Sequence, residues 1–275
     1  MNYTKKTNFS GLGKSEREKL AIILRGTKTT ISVAEAANIL NLSRVQAAKI
    51  LSWYTRKGWL SRISCGIYIP VPLTSSTADI ILEDPLVIAE KLFSPCYIGG
   101  WSAAEHWGMT EQIFRTIVVF TTRKPRNRKP IIHHIQYILH TIKPTLFFGF
   151  KTQWRNDVKI NISDPTRTII DMLADPTLGG GLRPTLDILQ YYFGSSIKDN
   201  EALEKYLQTY NNGAIYKRLG FLLEKYFPHE EKLIQICKNN ITKGKTQLGP
   251  TLDCKTLITK WQLWVPRNWS DKKTT

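Results

Sequence analysis

The chain has 275 residues, 42% of them hydrophobic and 11% aromatic, enough for a packed core of one large domain or two ordinary ones. That composition excludes a disordered, collagen-like or low-complexity chain, and no apolar run reaches the roughly eighteen residues of a membrane span. Lys and Arg number 39 against 22 Asp and Glu, a formal charge of +17, which points to a polyanionic partner such as nucleic acid or an anionic membrane surface.

The excess is uneven: residues 1–73 hold 12 Lys and Arg against 3 Asp and Glu, over half of it. Three capping boxes are expected there, Ser15 with Glu18, Ser32 with Glu35 and Ser43 with Gln46. They predict a first helix over about 16–25, with Leu20, Ile23 and Leu24 on one face and Gly26 ending it, a second over about 33–40, and a third from after Ser43 to before Gly58. Only Asn41, Leu42 and Ser43 separate the last two, the spacing of a helix-turn-helix. Ala47, Ile50, Leu51 and Tyr54 recur as a buried stripe, so Val45, Lys49, Ser52 and Arg56 turn outward with Arg44, Gln46 and Trp53 on the flanks. Gly58-Trp-Leu-Ser-Arg-Ile-Ser-Cys-Gly-Ile-Tyr-Ile-Pro then alternates apolar and polar about a small-residue turn, a β-hairpin or wing.

Residues 1–73 therefore read as a winged helix-turn-helix DNA-binding domain. The candidate contacts are Ser43, Arg44, Val45, Gln46 and Lys49 at the start of the third helix, Arg56 and Lys57 at its end, and Arg62 on the wing. Arg44, Val45, Gln46 and Lys49 take the base-reading positions of the first two turns, where Arg can grip guanine bidentately, Gln can do the same for adenine and Val can meet a thymine methyl; Lys57 and Arg62 suit phosphates. The bland alternative is a solvated basic helix face on a protein-interaction module.

Pro70, Pro72 and Thr-Ser-Ser-Thr at 74–77 make a short polar linker to a second domain over 78–275. Helices are expected over 84–93 (Asp84 as N-cap and Pro85 in the first turn), 102–107, 166–173, 185–193, 201–210, 214–226 and 230–238, and strands over 117–121, 135–139 and 158–162. A last hairpin is placed at 261–265. The predicted class is α+β: a winged helix-turn-helix followed by a mixed α+β domain with a helical C-terminal half. Arg123, Lys124, Arg126, Arg128 and Lys129 form an acid-free run, read as a flexible loop that adds phosphate contacts.

Motifs for chemistry are sparse. His133-His134 is a poor metal pair, because neighbours on a strand point apart; His106 has no second ligand at i+4; Gly179-Gly-Gly lacks the Lys-Ser/Thr of a P-loop. Cys65, Cys96, Cys237 and Cys254 form no CxxC pair, which suggests neither a zinc site nor a disulfide framework and fits a reducing cytoplasm. The basic N-terminus lacks an apolar h-region, so no signal peptide is expected. One catalytic alternative stands: Asp157-Val-Lys159, with Glu83, Asp164 and Asp171 elsewhere, as a Mg²⁺-dependent nuclease strand. Arg167 and Asp171, at i, i+4, read as a surface ion pair. No cofactor and no structural metal is expected.

The segment from Gly58 to Pro72 resembles the wing of the AbiEi antitoxin family. Asp84-Pro85 and Tyr97-Ile-Gly-Gly-Trp-Ser-Ala-Ala-Glu-His-Trp-Gly-Met-Thr-Glu-Gln112 follow at the family's distance. Phe148-Gly-Phe with Val158-Lys-Ile-Asn-Ile-Ser-Asp-Pro-Thr-Arg-Thr-Ile-Ile-Asp-Met-Leu173 is similar to its second block, and Arg218-Leu-Gly-Phe-Leu-Leu-Glu224 to a third. The resemblance spans about residues 15–235; Cys65 departs from it where a basic residue is expected. It implies a type IV toxin–antitoxin component of abortive phage infection, not an enzyme. The winged helix of such a protein represses its own operon at paired repeats, and the C-terminal domain counteracts an AbiEii-like nucleotidyltransferase toxin without a stable complex. No heptad proposes a dimer, so a monomer in solution is expected. Beside the nuclease, a second alternative is a transcription factor whose aromatic-rich C-terminal domain senses a ligand.

Overall fold

The computed structural model describes residues 11–27, 30–72, 84–155 and 158–270, and the statements below concern these. The protein is mixed α+β. Its chain order opens with α1 (Lys14–Gly26), β1 (Ile31–Ser32), α2 (Val33–Leu40), α3 (Arg44–Arg56), β2 (Leu60–Ser64) and β3 (Ile67–Pro70). There follow α4 (Pro85–Phe93), β4 (Cys96–Ile98), α5 (Gly100–His106), β5 (Thr116–Thr121), β6 (Ile131–Ile132), β7 (Ile135–Thr141), β8 (Phe150–Arg155), β9 (Val158–Ser163) and α6 (Pro165–Ala174). The remainder is α7 (Leu182–Gly194), α8 (Asn200–Tyr210), α9 (Gly213–Tyr226), α10 (Glu231–Asn239), β10 (Thr246–Gln247), β11 (Thr256–Ile258), β12 (Leu263–Val265) and α11 (Arg267–Ser270). Two compact units result: residues 1–94 with 129–137 and 154–160, and residues 95–128 with 138–153 and 161–275. The expected linker at 74–77 lies outside the described residues.

In the first unit, α1, α2 and α3 enclose Leu20, Ile23, Ala36, Ala37, Ala47, Leu51 and Tyr54. The Tyr54 hydroxyl donates to the Glu16 carbonyl at 2.7 Å, tying α3 to α1. Two capping boxes form as expected, at Ser32/Glu35 and Ser43/Gln46. The third does not: α1 starts a residue earlier than Ser15, on Gly13, with no side-chain cap. Leu24, expected inside, is 37% exposed, and Ile50 is only half-buried. The hairpin β2–β3 is joined by β1, which the sequence did not announce; Ile31 pairs with Tyr68 and Ser32 with Ile67, so the sheet order is β1-β3-β2.

Asp84 caps α4 by accepting from the Leu86 and Val87 amides at 2.9 and 3.4 Å. His133 and His134 are not strand neighbours: with φ of 44° and 65° they make the two-residue turn of the β6–β7 hairpin, whose paired left-handed conformations match the strand twist. A six-stranded sheet has the order β6-β7-β5-β4-β9-β8, with β4 antiparallel to β5 and parallel to β9.

The second unit packs α5 to α10 around a core that includes Tyr97, Phe120, Ile170, Leu189, Leu222 and Trp261. The Asp164 carboxylate accepts from the Arg167 amide at 2.8 Å and starts α6. The segment at 261–265 is no hairpin: β12 lies parallel to β10 and antiparallel to β11, and Trp261, Leu263 and Val265 are fully buried. Gly220 on α9 makes room for Trp261, since a Cβ there would sit inside the indole's van der Waals envelope.

Candidate nucleic-acid interface

The geometry of α3 begins in the turn before it. Asn41 adopts a left-handed conformation (φ 51°, ψ 50°), which asparagine tolerates better than most residues, and the Leu42 amide returns to the Ala37 carbonyl at 2.9 Å. The chain thus reverses within two residues and delivers Ser43 as the cap of α3. With Ala47, Leu51 and Tyr54 buried, Arg44, Val45, Lys49, Ser52 and Arg56 are exposed, and Val45 keeps 66% of its surface open, unusual for an aliphatic residue. The helix carries no acidic residue.

The site residues differ in how free they are. Gln46 is the reciprocal half of the capping box: its side-chain oxygen accepts from the Ser43 amide at 3.0 Å and hydroxyl at 2.9 Å. To grip adenine bidentately it must release that cap. Lys57 is half-buried, its ammonium 5.7 Å from the Trp53 ring centroid. On the hairpin, exposed Arg62 donates through Nε to the Ser64 carbonyl at 3.1 Å, beside a register shift between the two residues. The preceding Ser61 is 3.3 Å from His133 Nε2, whose basicity is lowered by burial and by His134. The five cations of 123–129 are all exposed on the loop between β5 and β6. That loop is held at its ends, where the Arg123 amide donates to the Thr121 hydroxyl at 3.1 Å and the Leu139 amide to the Arg128 carbonyl at 2.8 Å.

The catalytic alternative fares differently. Asp157 and Glu83 lie outside the described residues. Lys159 stands 5.0 Å over the Trp154 ring centroid. Among the described residues no three His, Cys, Asp or Glu gather to hold a metal ion.

The most polar buried cluster is one that sequence reasoning placed on the surface. Arg167 and Asp171 are both fully buried on α6, joined at 3.0 Å. The Tyr97 hydroxyl donates to Asp171 at 3.0 Å and accepts from Arg167 Nη2 at 2.9 Å, while the Leu146 carbonyl takes a further bond from that nitrogen. Nη1 has no hydrogen-bond partner; the guanidinium carbon lies 4.3 Å from the Phe148 ring centroid and 4.9 Å from that of Tyr210, so the ring faces supply what an oxygen would. Burial pushes the Asp171 carboxyl up to about 6, against the opposing pull of Arg167 and the Tyr97 hydroxyl. Gly149, at φ 71°, leaves the room this helix takes, since a Cβ there would stand only 3.1 Å from Arg167 Cβ. The missed signal is the apolar pairing of Ile169-Ile170 and Met172-Leu173, which wraps the helix on all sides and leaves the charges nowhere to go but inward.

No protein family matches the chain, and no curated protein matches it. Among solved structures, the fold is similar to that of the RV2827C protein from Mycobacterium tuberculosis, with a TM-score of 0.62 and 14% identity over 95% of each chain. Among the described residues no helix is long and apolar enough to cross a membrane.

Proposed function

We propose that the protein is a DNA-binding autorepressor and antitoxin, not an enzyme, whose residues 1–73 are a winged helix-turn-helix. The observation that carries the DNA half of this reading is α3: an acid-free helix, begun by a tight left-handed turn, with Arg44, Val45 and Lys49 exposed in its first two turns and the β2–β3 hairpin after it. Phosphate contacts by Arg56, Lys57 and Arg62 release counterions and set the register, and Arg44, Val45 and Lys49 discriminate base edges. Gln46 joins them on leaving its cap. The antitoxin half, acting against an AbiEii-like nucleotidyltransferase toxin in the cytoplasm, rests on the three ordered sequence blocks described above.

A mobility shift with DNA immediately upstream of the protein's own operon, against random DNA at two salt concentrations, tests the first half. Selective retention is expected; equal, salt-labile binding to both would reduce the site to an electrostatic footprint. Co-expression with the toxin tests the second half, with rescue of growth expected. Rescue that survives removal of residues 74–275 would take the antitoxin role away from the C-terminal domain.

A further inference from the structure

The face of α3 that turns towards α1 is neither buried nor polar. Ile22 of α1, 48% exposed, Ile39 and Leu40 of α2, Leu42 of the turn and Ile50 of α3 floor a groove of about 550 Å³, with Lys19 and Lys49 on its rim. A second groove of about 520 Å³ shares Lys19, Lys49 and Ile50 and continues past Trp53 to Arg56 and Glu16. The two form one trough along α3, about 15 Å long at 1.5 Å per residue, which matches some three turns of a helix. Apolar floors rimmed by charge are where proteins dock other chains.

Its chemistry narrows the occupant. The rim holds three cations, Lys19, Lys49 and Arg56, against one acid, Glu16. A phosphate backbone would meet the cations but has nothing to cover five aliphatic side chains. A second copy seated symmetrically would set this mostly cationic rim against an identical one, three cations and one acid on each side. A membrane takes a protruding apolar face rather than a concave one. We propose that this trough is a docking site for an acidic amphipathic helix of a protein partner, its apolar stripe on the floor and its carboxylates on the lysines. Gln46 and Lys49 line the trough as well as the outward face of α3, so an occupied trough excludes DNA; that clause rests on the DNA-binding reading.

The probe is a fluorescein-labelled peptide of about twelve residues with Leu at helical i, i+3, i+4, i+7 spacing and Glu at the positions flanking that stripe, followed by anisotropy with the full chain. Saturable binding is expected, weaker by about tenfold for a peptide of scrambled order or with Lys in place of Glu, and weaker by about tenfold for Ile22→Asp. Leu24→Asp, on the same helix but off the trough, should bind as the wild type and guards against a general effect of charge on α1. No binding, equal binding of the control peptides, an indifferent Ile22→Asp, or preferential binding to anionic vesicles would overturn the proposal. Addition of operator DNA should release the peptide. A peptide that stays bound while DNA also binds would leave the trough standing and remove Gln46 and Lys49 from the DNA contacts; absence of DNA binding altogether would sink the DNA reading alone.

Discussion

Gln46 does two jobs whose demands conflict, and substitutions can separate them. As the third residue of α3 it closes the capping box on Ser43, satisfying the Ser43 amide while Ser43 satisfies its own. Gln46→Glu keeps the acceptor and adds favourable charge at a helix N-terminus, so the thermal midpoint should hold while DNA affinity falls, because the amide donor is gone and a carboxylate faces phosphate. Gln46→Ala should lower both. Affinity unchanged in Gln46→Glu would leave the residue as a cap only. Arg44 is free of such duties: Arg44→Ala should cost about 1–3 kcal/mol on operator DNA and little on random DNA, as read by competition binding, whereas Lys57→Ala should weaken both alike. Asp171 gives a residue-level prediction in pH. Its carboxyl is raised from 3.8 to about 6 in the folded chain, so the folded form holds a proton that the unfolded form releases. Wild-type stability therefore declines as pH rises from 3.8 to about 6 and levels off above, by a few kcal/mol. Urea unfolding of Asp171→Asn lacks this slope, and the wild type's advantage over it should be greatest at acid pH; a gap that widens with pH would contradict the burial argument.

At the scale of elements, what the sequence announced depended on whether the signal was local. Helix starts are written in neighbouring residues, and Asp84, Ser32 and Ser43 were legible because each cap needs only the next three amides. Ser15 carried the same signature and failed, since α1 already begins at Lys14. The short strands β1, β4, β6 and β10 were missed for the opposite reason: two or three residues hold no period, and pairing such as Ile31 with Tyr68 is decided far along the chain. Arg167 was misplaced because i, i+4 spacing describes an ion pair equally well on either side of a helix. The outward set on α3 was legible in full, but the competing role of Gln46 was visible only as a bond. Gly220 supplies the matching test. Gly220→Ala favours the helix by propensity, yet its methyl would strike Trp261, so a loss of about 1–3 kcal/mol is expected in chemical denaturation. A stabilised variant would mean the indole has room to move.

For the whole molecule, the cations are distributed over more than the α3 face. If the loop at 123–129 touches phosphate, neutralising its five basic residues should flatten the slope of log affinity against log salt by about 0.9 for each phosphate that the loop had neutralised. An unchanged slope would remove the loop from the interface. The strands near the end of the described chain have a consequence in time. Trp261, Leu263 and Val265 belong to the core of the second unit, whereas every described element of the first unit has been synthesised by residue 160. At about 5–20 residues per second, the ribosome delivers those side chains on the order of ten seconds after the first unit is complete. During that interval every described element of the first unit has been made while the apolar core of the second still lacks these side chains, so the second unit's core stays open to chaperones and proteases until they arrive.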